Sequence, residues 1–171
     1  MQESRRLVIV RHAKADSQGS SDRERPLAAR GSRDAAAGGA WLAASGVHPD
    51  HVLVSSARRA LETYDALREG AGWDTPVEAS DTLYSAEPET ALDVVRQVPT
   101  EASTVVVVGH NPTMGTLAQL LDDGEGDAQA TGALLAGGFP TCAMAVFDVA
   151  VPWADLGFTG ATLTAFHVGR G

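Results

Sequence analysis

Two unbroken apolar runs, residues 7–10 (Leu-Val-Ile-Val) and 105–108 (four valines), have no polar residue in alternate positions. Such continuity predicts strands covered on both faces, since a strand with one wet face would alternate. A shorter run at 52–54 predicts a third strand, and the stretches 142–149 and 163–168 predict two late ones. Between the runs the period changes to that of helices. Ala37, Ala40, Trp41 and Ala44 recur at helical spacing, with Gly46 placed to stop that helix. A second helix is predicted over 58–69, with Ser55 or Ser56 available as its cap. A third carries Ala91, Leu92, Val95 and Val98 on one face, with Glu87 and Glu89 suited to its first turn. A fourth opens at Pro112 and buries Met114, Leu117, Ala118 and Leu121. Residues 122–138 are rich in Gly and Asp and read mostly as loop, with a short helical piece at 133–136. Strands alternating with helices are the signature of an α/β sheet.

Size changes the picture little. The 171 residues, without an internal repeat or a linker, are expected to form one domain spanning 1–171. Charge excludes more. A formal net charge of -9 argues against a nucleic-acid binder or a binder of anionic membranes, which draw affinity from clustered Lys and Arg. No apolar run approaches the roughly 20 residues of a membrane span. The start, residues 1–6, is polar, and the run at 7–10 is too short for a secretory core, so a cytoplasmic location is expected. Cys142 is the single cysteine, which excludes an internal disulfide and predicts a small core residue. His, Asp and Glu form no cluster with metal-ligand spacing, so neither a metal nor another cofactor is expected. His48 and His51 read as surface residues, and His167 lies in a late strand.

Three strand ends deliver polar residues directly before a turn or helix. They are Arg11-His12-Ala13-Lys14, the segment 55–63, and Gly109-His110-Asn111-Pro112. Ligands of open α/β sheets bind outside the carboxyl ends of the strands, so these segments can converge on one crevice. Phosphoryl transfer needs a nucleophile, cations around the equatorial oxygens and in-line geometry. A neutral imidazole beside cations is a competent nucleophile, and a guanidinium can grip two phosphate oxygens at once. Pro112 at the first position of its helix would leave no orphaned donor there, and Gly109 would let the backbone turn close to the ligand.

These motifs resemble those of the histidine phosphatase superfamily. Arg11-His12-Ala13 is similar to its Arg-His-Gly signature, and residues 55–63 to its Ser-x-x-x-Arg-Ala-x-x-Thr segment, which selects Arg59 over Arg58. Gly109-His110-Asn111-Pro112 resembles its second-histidine motif. Arg25-Pro26-Leu27 and Gly31 match the short SixA-like branch, associated with phosphohistidine phosphatases. The resemblance implies a single-domain three-layer α/β sandwich with a mostly parallel central sheet, of the phosphoglycerate-mutase-like kind. It implies that His12 becomes phosphorylated while Arg11, Arg59 and His110 enclose the phosphate, with Arg25 as an additional cation. Glu87 falls in the region where larger relatives keep a proton donor. Two departures stand out: Ala13 replaces the usual Gly, and Ala28 stands where the branch often has Thr, which removes a helix cap.

The expected function is a metal-independent phosphatase acting on a phosphorylated protein or small molecule, with phosphohistidine as the first substrate class. The alternatives are a broad phosphomonoesterase or mutase, and, in a different class, a phosphate-binding interaction module without turnover. The pair His12 and His110 speaks against the module, since binding alone needs no nucleophile.

Overall fold

The computed structural model describes residues 4–171, so residues 1–3 of the polar start lie outside it. The valine run is the centre of the molecule. Its strand, β4 (Thr104–Gly109), lies between β2 (His51–Ser55) and β1 (Arg5–Arg11) in a six-stranded sheet, and all four valines are fully buried. The remaining strands are β3 (Glu78–Ser80), β5 (Ala143–Val149) and β6 (Thr162–Val168), and the order across the sheet is β3-β2-β4-β1-β5-β6. The pairs β1–β4, β2–β4 and β2–β3 are parallel, whereas β5 runs antiparallel to both β1 and β6.

Successive side chains of a strand point to opposite faces, so an unbroken apolar run feeds two cores. Val8, Val10, Val106 and Val108 face α1 (Ala29–Ala44) and α2 (Arg58–Ala71), packing with Leu42, Tyr64 and Leu67. Leu7, Ile9, Val105 and Val107 face the other layer. That layer contains α3 (Asp81–Tyr84), α4 (Pro88–Arg96), α5 (Thr113–Leu121) and α6 (Ala128–Gly137), which contribute Leu83, Leu92, Leu117 and Leu134. The result is the expected three layers.

Several local expectations are corrected. Residues 122–138 are mostly helix rather than loop, because Asp127 caps α6 by accepting from the Ala130 N–H at 2.8 Å. The stripe that α1 buries is Gly31, Asp34, Ala35, Gly38, Gly39 and Leu42, offset from Ala37, Ala40, Trp41 and Ala44. Small residues on that face let α2 approach closely, and a hydrophobicity pattern does not register glycines. Neither Ser55 nor Ser56 caps α2, whose N-cap is Ala57 without a side-chain bond; the Arg58 N–H donates instead to the Arg23 carbonyl at 2.9 Å. Pro112 is the N-cap of α5 and not its first helical residue. Asn111 supplies the capping oxygen there, accepting from the Gly115 N–H at 3.1 Å.

Other expectations hold. Ala28 is the N-cap of α1 and makes no side-chain cap bond. Cys142 is fully buried, and burial pushes its thiol up to about 12, so it stays protonated. Among the described residues, no helix is long and apolar enough to cross a membrane.

Candidate active site

Strand register brings the two motif histidines together. Arg11 pairs with Gly109 at the carboxyl ends of β1 and β4, and the His12 N–H donates to the Gly109 carbonyl at 3.0 Å. The next residue of each strand is then a histidine beside a histidine, with ring centroids 5.2 Å apart and planes inclined at 59°. The β2 end lies alongside, where the Ser55 Oγ is 2.7 Å from the His110 Nε2. Arg59 comes from the first turn of α2 and is buried, at 7% exposure.

One hydrogen bond defines the state of His12. Its Nδ1 lies 2.8 Å from the Ala13 carbonyl oxygen, which can only accept. The proton therefore sits on Nδ1, and Nε2 carries a free lone pair. The pKa of His12 is lowered to about 4, first by burial and then by the charges of Arg59, Arg11 and Arg25, against the opposing pull of that carbonyl. His110 is likewise lowered to about 4, by burial first and then by His12 and the arginines. Both rings are neutral at pH 7.

The turn that holds His12 is fastened from beneath. The Ala13 N–H donates to the Thr63 Oγ1 at 3.0 Å, and that hydroxyl donates to the Arg59 carbonyl at 2.7 Å. Thr63 is thus the link between the His12 turn and the helix that carries Arg59. Ala13 is fully buried, so the turn accepts its Cβ. Gly31 has a different reason: a Cβ there would lie 2.1 Å from the Lys14 carbonyl oxygen, where α1 crosses the chain just after His12. Gly109 serves packing and not ligand approach, because a Cβ would meet the Met114 side chain at 2.9 Å.

Two polar atoms in the site are buried without any partner among the described residues, the Arg11 Nε and the His110 Nδ1. Buried donors and acceptors are normally satisfied, so such a pair calls for a ligand. An anion within reach of both would satisfy them where each presents a proton. The Arg11 Nη1 is held separately by the Phe139 carbonyl at 3.1 Å, which the Asn111 Nδ2 also reaches at 2.7 Å.

Arg59 is not free to fork as the motif alone suggests. Its Nη1 donates to the Asp22 carbonyl at 2.8 Å and its Nη2 to the Asp22 Oδ2 at 3.1 Å. Asp22 also accepts from the Tyr84 hydroxyl at 2.5 Å and from the Arg25 Nη1 at 3.1 Å. These bonds, Tyr84 first and the arginines after it, hold the carboxyl well below the usual carboxylate range. Arg25 therefore belongs to the site's edge through Asp22, and its Nε donates to the Asp16 carbonyl at 2.8 Å. Tyr84 stands edge-on to the His110 ring, with centroids 5.7 Å apart. Asp22, Tyr84 and Thr63 were not marked as site residues by sequence reasoning. Thr63 lies inside a recognised segment; Asp22 reaches the site from a loop and Tyr84 from the end of the four-residue α3, both too short to carry a periodicity.

Glu87 is the N-cap of α4, and its side chain makes no hydrogen bond or ion pair among the described residues. Its neighbour Ala86 accepts from the Thr113 Oγ1 at 2.5 Å, which ties that loop to the start of α5. The other histidines are elsewhere. His48 is exposed, His51 bonds Glu78 at 2.8 Å, and His167 stacks on Trp41 at 4.4 Å between centroids.

Residues 7–86 match the model of the histidine phosphatase superfamily (branch 1). The Mycobacterium tuberculosis protein Rv1276c is 40% identical over 162 residues, covering 94% of this chain and 100% of that protein. A solved structure from Nakamurella multipartitia, classed as a SixA phosphohistidine phosphatase, is similar at 33% identity and a TM-score of 0.86, covering 98% of each chain. Another so classed, from Agrobacterium tumefaciens, is similar at 30% identity and a TM-score of 0.78, covering 96% of this chain and 97% of that one.

Proposed function

Because this chain belongs to the histidine phosphatase superfamily, in its SixA-like branch, and is a phosphatase, we propose that its substrate class is phosphohistidine and that the phosphoryl group passes through His12. The observation that carries the reading is the bond from His12 Nδ1–H to the Ala13 carbonyl, which leaves Nε2 unprotonated among three arginines.

The chemistry runs in two displacements. The Nε2 lone pair of His12 attacks phosphorus while the bond from phosphorus to the leaving imidazole breaks. That imidazole departs with the bonding electrons and takes up a proton. Water then attacks phospho-His12, yielding inorganic phosphate and the neutral imidazole again. Arg11, Arg59 and the His110 Nδ1 are the donors for charge spread over the equatorial oxygens, where preorganised donors act most strongly. No step is assigned to a metal.

The proton demand of the leaving group supports phosphohistidine over an ordinary ester. Asp22, the carboxylate bonded to Arg59, is held ionised and has no proton to give near neutral pH. A leaving imidazole is far less basic than an alkoxide and departs without a strong acid. A second reading, a small-molecule phosphomonoesterase, would need a proton donor, for which Glu87, exposed at the N-cap of α4 without a side-chain partner among the described residues, is the candidate.

Trapping the enzyme during turnover and profiling its substrates tests both levels. Acid-labile, base-stable phosphate is expected on the peptide containing His12, and a phosphohistidine protein should be hydrolysed faster than a phosphoserine peptide. Near-normal turnover by a folded His12→Ala variant would overturn the covalent route. Preference for phosphate esters would overturn the substrate class alone.

A further inference from the structure

His110 has two ring nitrogens and, while neutral, one proton to place between them. The Nε2 lies 2.7 Å from the Ser55 Oγ, and the Nδ1 is buried without a partner. The serine resolves the choice. Its Oγ already accepts from the Ala57 N–H at 3.3 Å, closing a turn between the end of β2 and the start of α2. Ser55 is completely buried, so no bulk water competes for its hydroxyl proton. Apart from a nitrogen lone pair on His110, no acceptor for that proton is found among the described residues.

The two tautomers can be compared by counting. With the proton on Nε2, that nitrogen donates to Oγ, the serine proton is stranded, and Nδ1 presents a bare lone pair. Two buried groups are then unsatisfied, and an arriving phosphate oxygen meets a lone pair. With the proton on Nδ1, Oγ–H donates to Nε2 and Oγ accepts from Ala57, so a single group is unsatisfied. That group is a donor, the kind a phosphoryl oxygen satisfies. Each stranded buried group costs about 1–3 kcal/mol, enough to decide a tautomer.

We propose that Ser55 is a positioning residue that locks His110 in the Nδ1–H tautomer, keeping a donor aimed at the substrate phosphoryl group. The inference rests on reading His110 as a phosphate contact and is independent of which phosphorylated substrate is used. Burial keeps His110 neutral over the working pH range, so the tautomer choice persists there. His12 and His110 are thereby set by the same device, a fixed partner on one nitrogen, but from different sources. A carbonyl sets the nucleophile and a hydroxyl sets the donor.

The test is nitrogen NMR of the full chain labelled in histidine, without substrate and near pH 7. His110 is expected to show a protonated Nδ1 and a bare Nε2; the reverse assignment overturns the proposal whether or not the enzyme hydrolyses phosphohistidine. Ser55→Ala should shift His110 toward Nε2–H, leave the His12 tautomer unchanged, and weaken binding of inorganic phosphate by about tenfold to a hundredfold. His110→Asn separates positioning from packing, because the asparagine amide puts an N–H near the place of Nδ1 without needing a tautomer. Adding Ser55→Ala to His110→Asn should then change phosphate affinity less than twofold. An undiminished loss in that background would mean that Ser55 acts through packing, and the proposal would fall.

Discussion

Replacing Arg59 by Lys keeps the charge and changes the geometry, so it isolates what the guanidinium fork contributes. The structure assigns two of the five N–H donors of Arg59 to Asp22, one to its carbonyl at 2.8 Å and one to its carboxylate at 3.1 Å. Three donors on three different nitrogens remain for a phosphoryl group. Lysine has three donors on one atom. If it keeps both Asp22 contacts, one donor is left for phosphate, and that donor cannot span two oxygens. At least one contact that strengthens in the transition state is lost. Such a contact is worth about 3 kcal/mol, or roughly a hundredfold in kcat/KM. Arg58 is the internal control. Its side chain is half exposed and pairs with Glu62 at 3.2 Å, an ion pair worth about 0–1 kcal/mol to stability. Arg58→Lys should leave kcat/KM within about twofold. The assay is kcat/KM on a phosphohistidine protein for both variants, with thermal melts confirming that each is folded. Equal losses, or a larger loss at Arg58, would mean that the phosphate-binding register of α2 is misread.

Three further outcomes follow from the site. The pKa of His12 is lowered from 6.5 to about 4, so its lone pair survives acidification down to that point, and the acid limb of kcat/KM attributable to the free enzyme should centre near pH 4; a limb near 6.5 would contradict the burial argument. The same depressed value means that the unfolded chain binds more protons between pH 6.5 and 4, so the melting temperature should fall across that window. Thr63→Val strands the buried Ala13 N–H and removes a bond to the Arg59 carbonyl, which should cost about 1–3 kcal/mol. The melt should drop by several degrees, and an unchanged melting temperature would show that Thr63 does not fasten the turn.

The chain's local pattern was enough to establish an α/β sheet and the strand ends at which chemistry collects. Unbroken runs such as 7–10 and 105–108 have one stable place, the middle of a sheet covered on both faces, so their burial is legible from the local pattern alone. The histidines and Arg59 were legible because their motifs are short and contiguous. What the pattern could not reveal is whatever depends on a partner distant in sequence. The fork of Arg59 is shared with Asp22, 37 residues away, and the nitrogen of His110 is met by Ser55, 55 residues away. Helix α6 leaves little trace in the sequence because its Ala- and Gly-rich face has weak amphipathicity; contact with β6 and the Asp127 cap complete it. Pro112 marked a helix start correctly to within one residue, since the cap itself is an Asn111 oxygen reaching a backbone amide four residues on. Periodicity records which face of an element is apolar, because burial acts on each residue separately. Hydrogen bonds between loops record where two elements end relative to each other, and only the assembled sheet determines that.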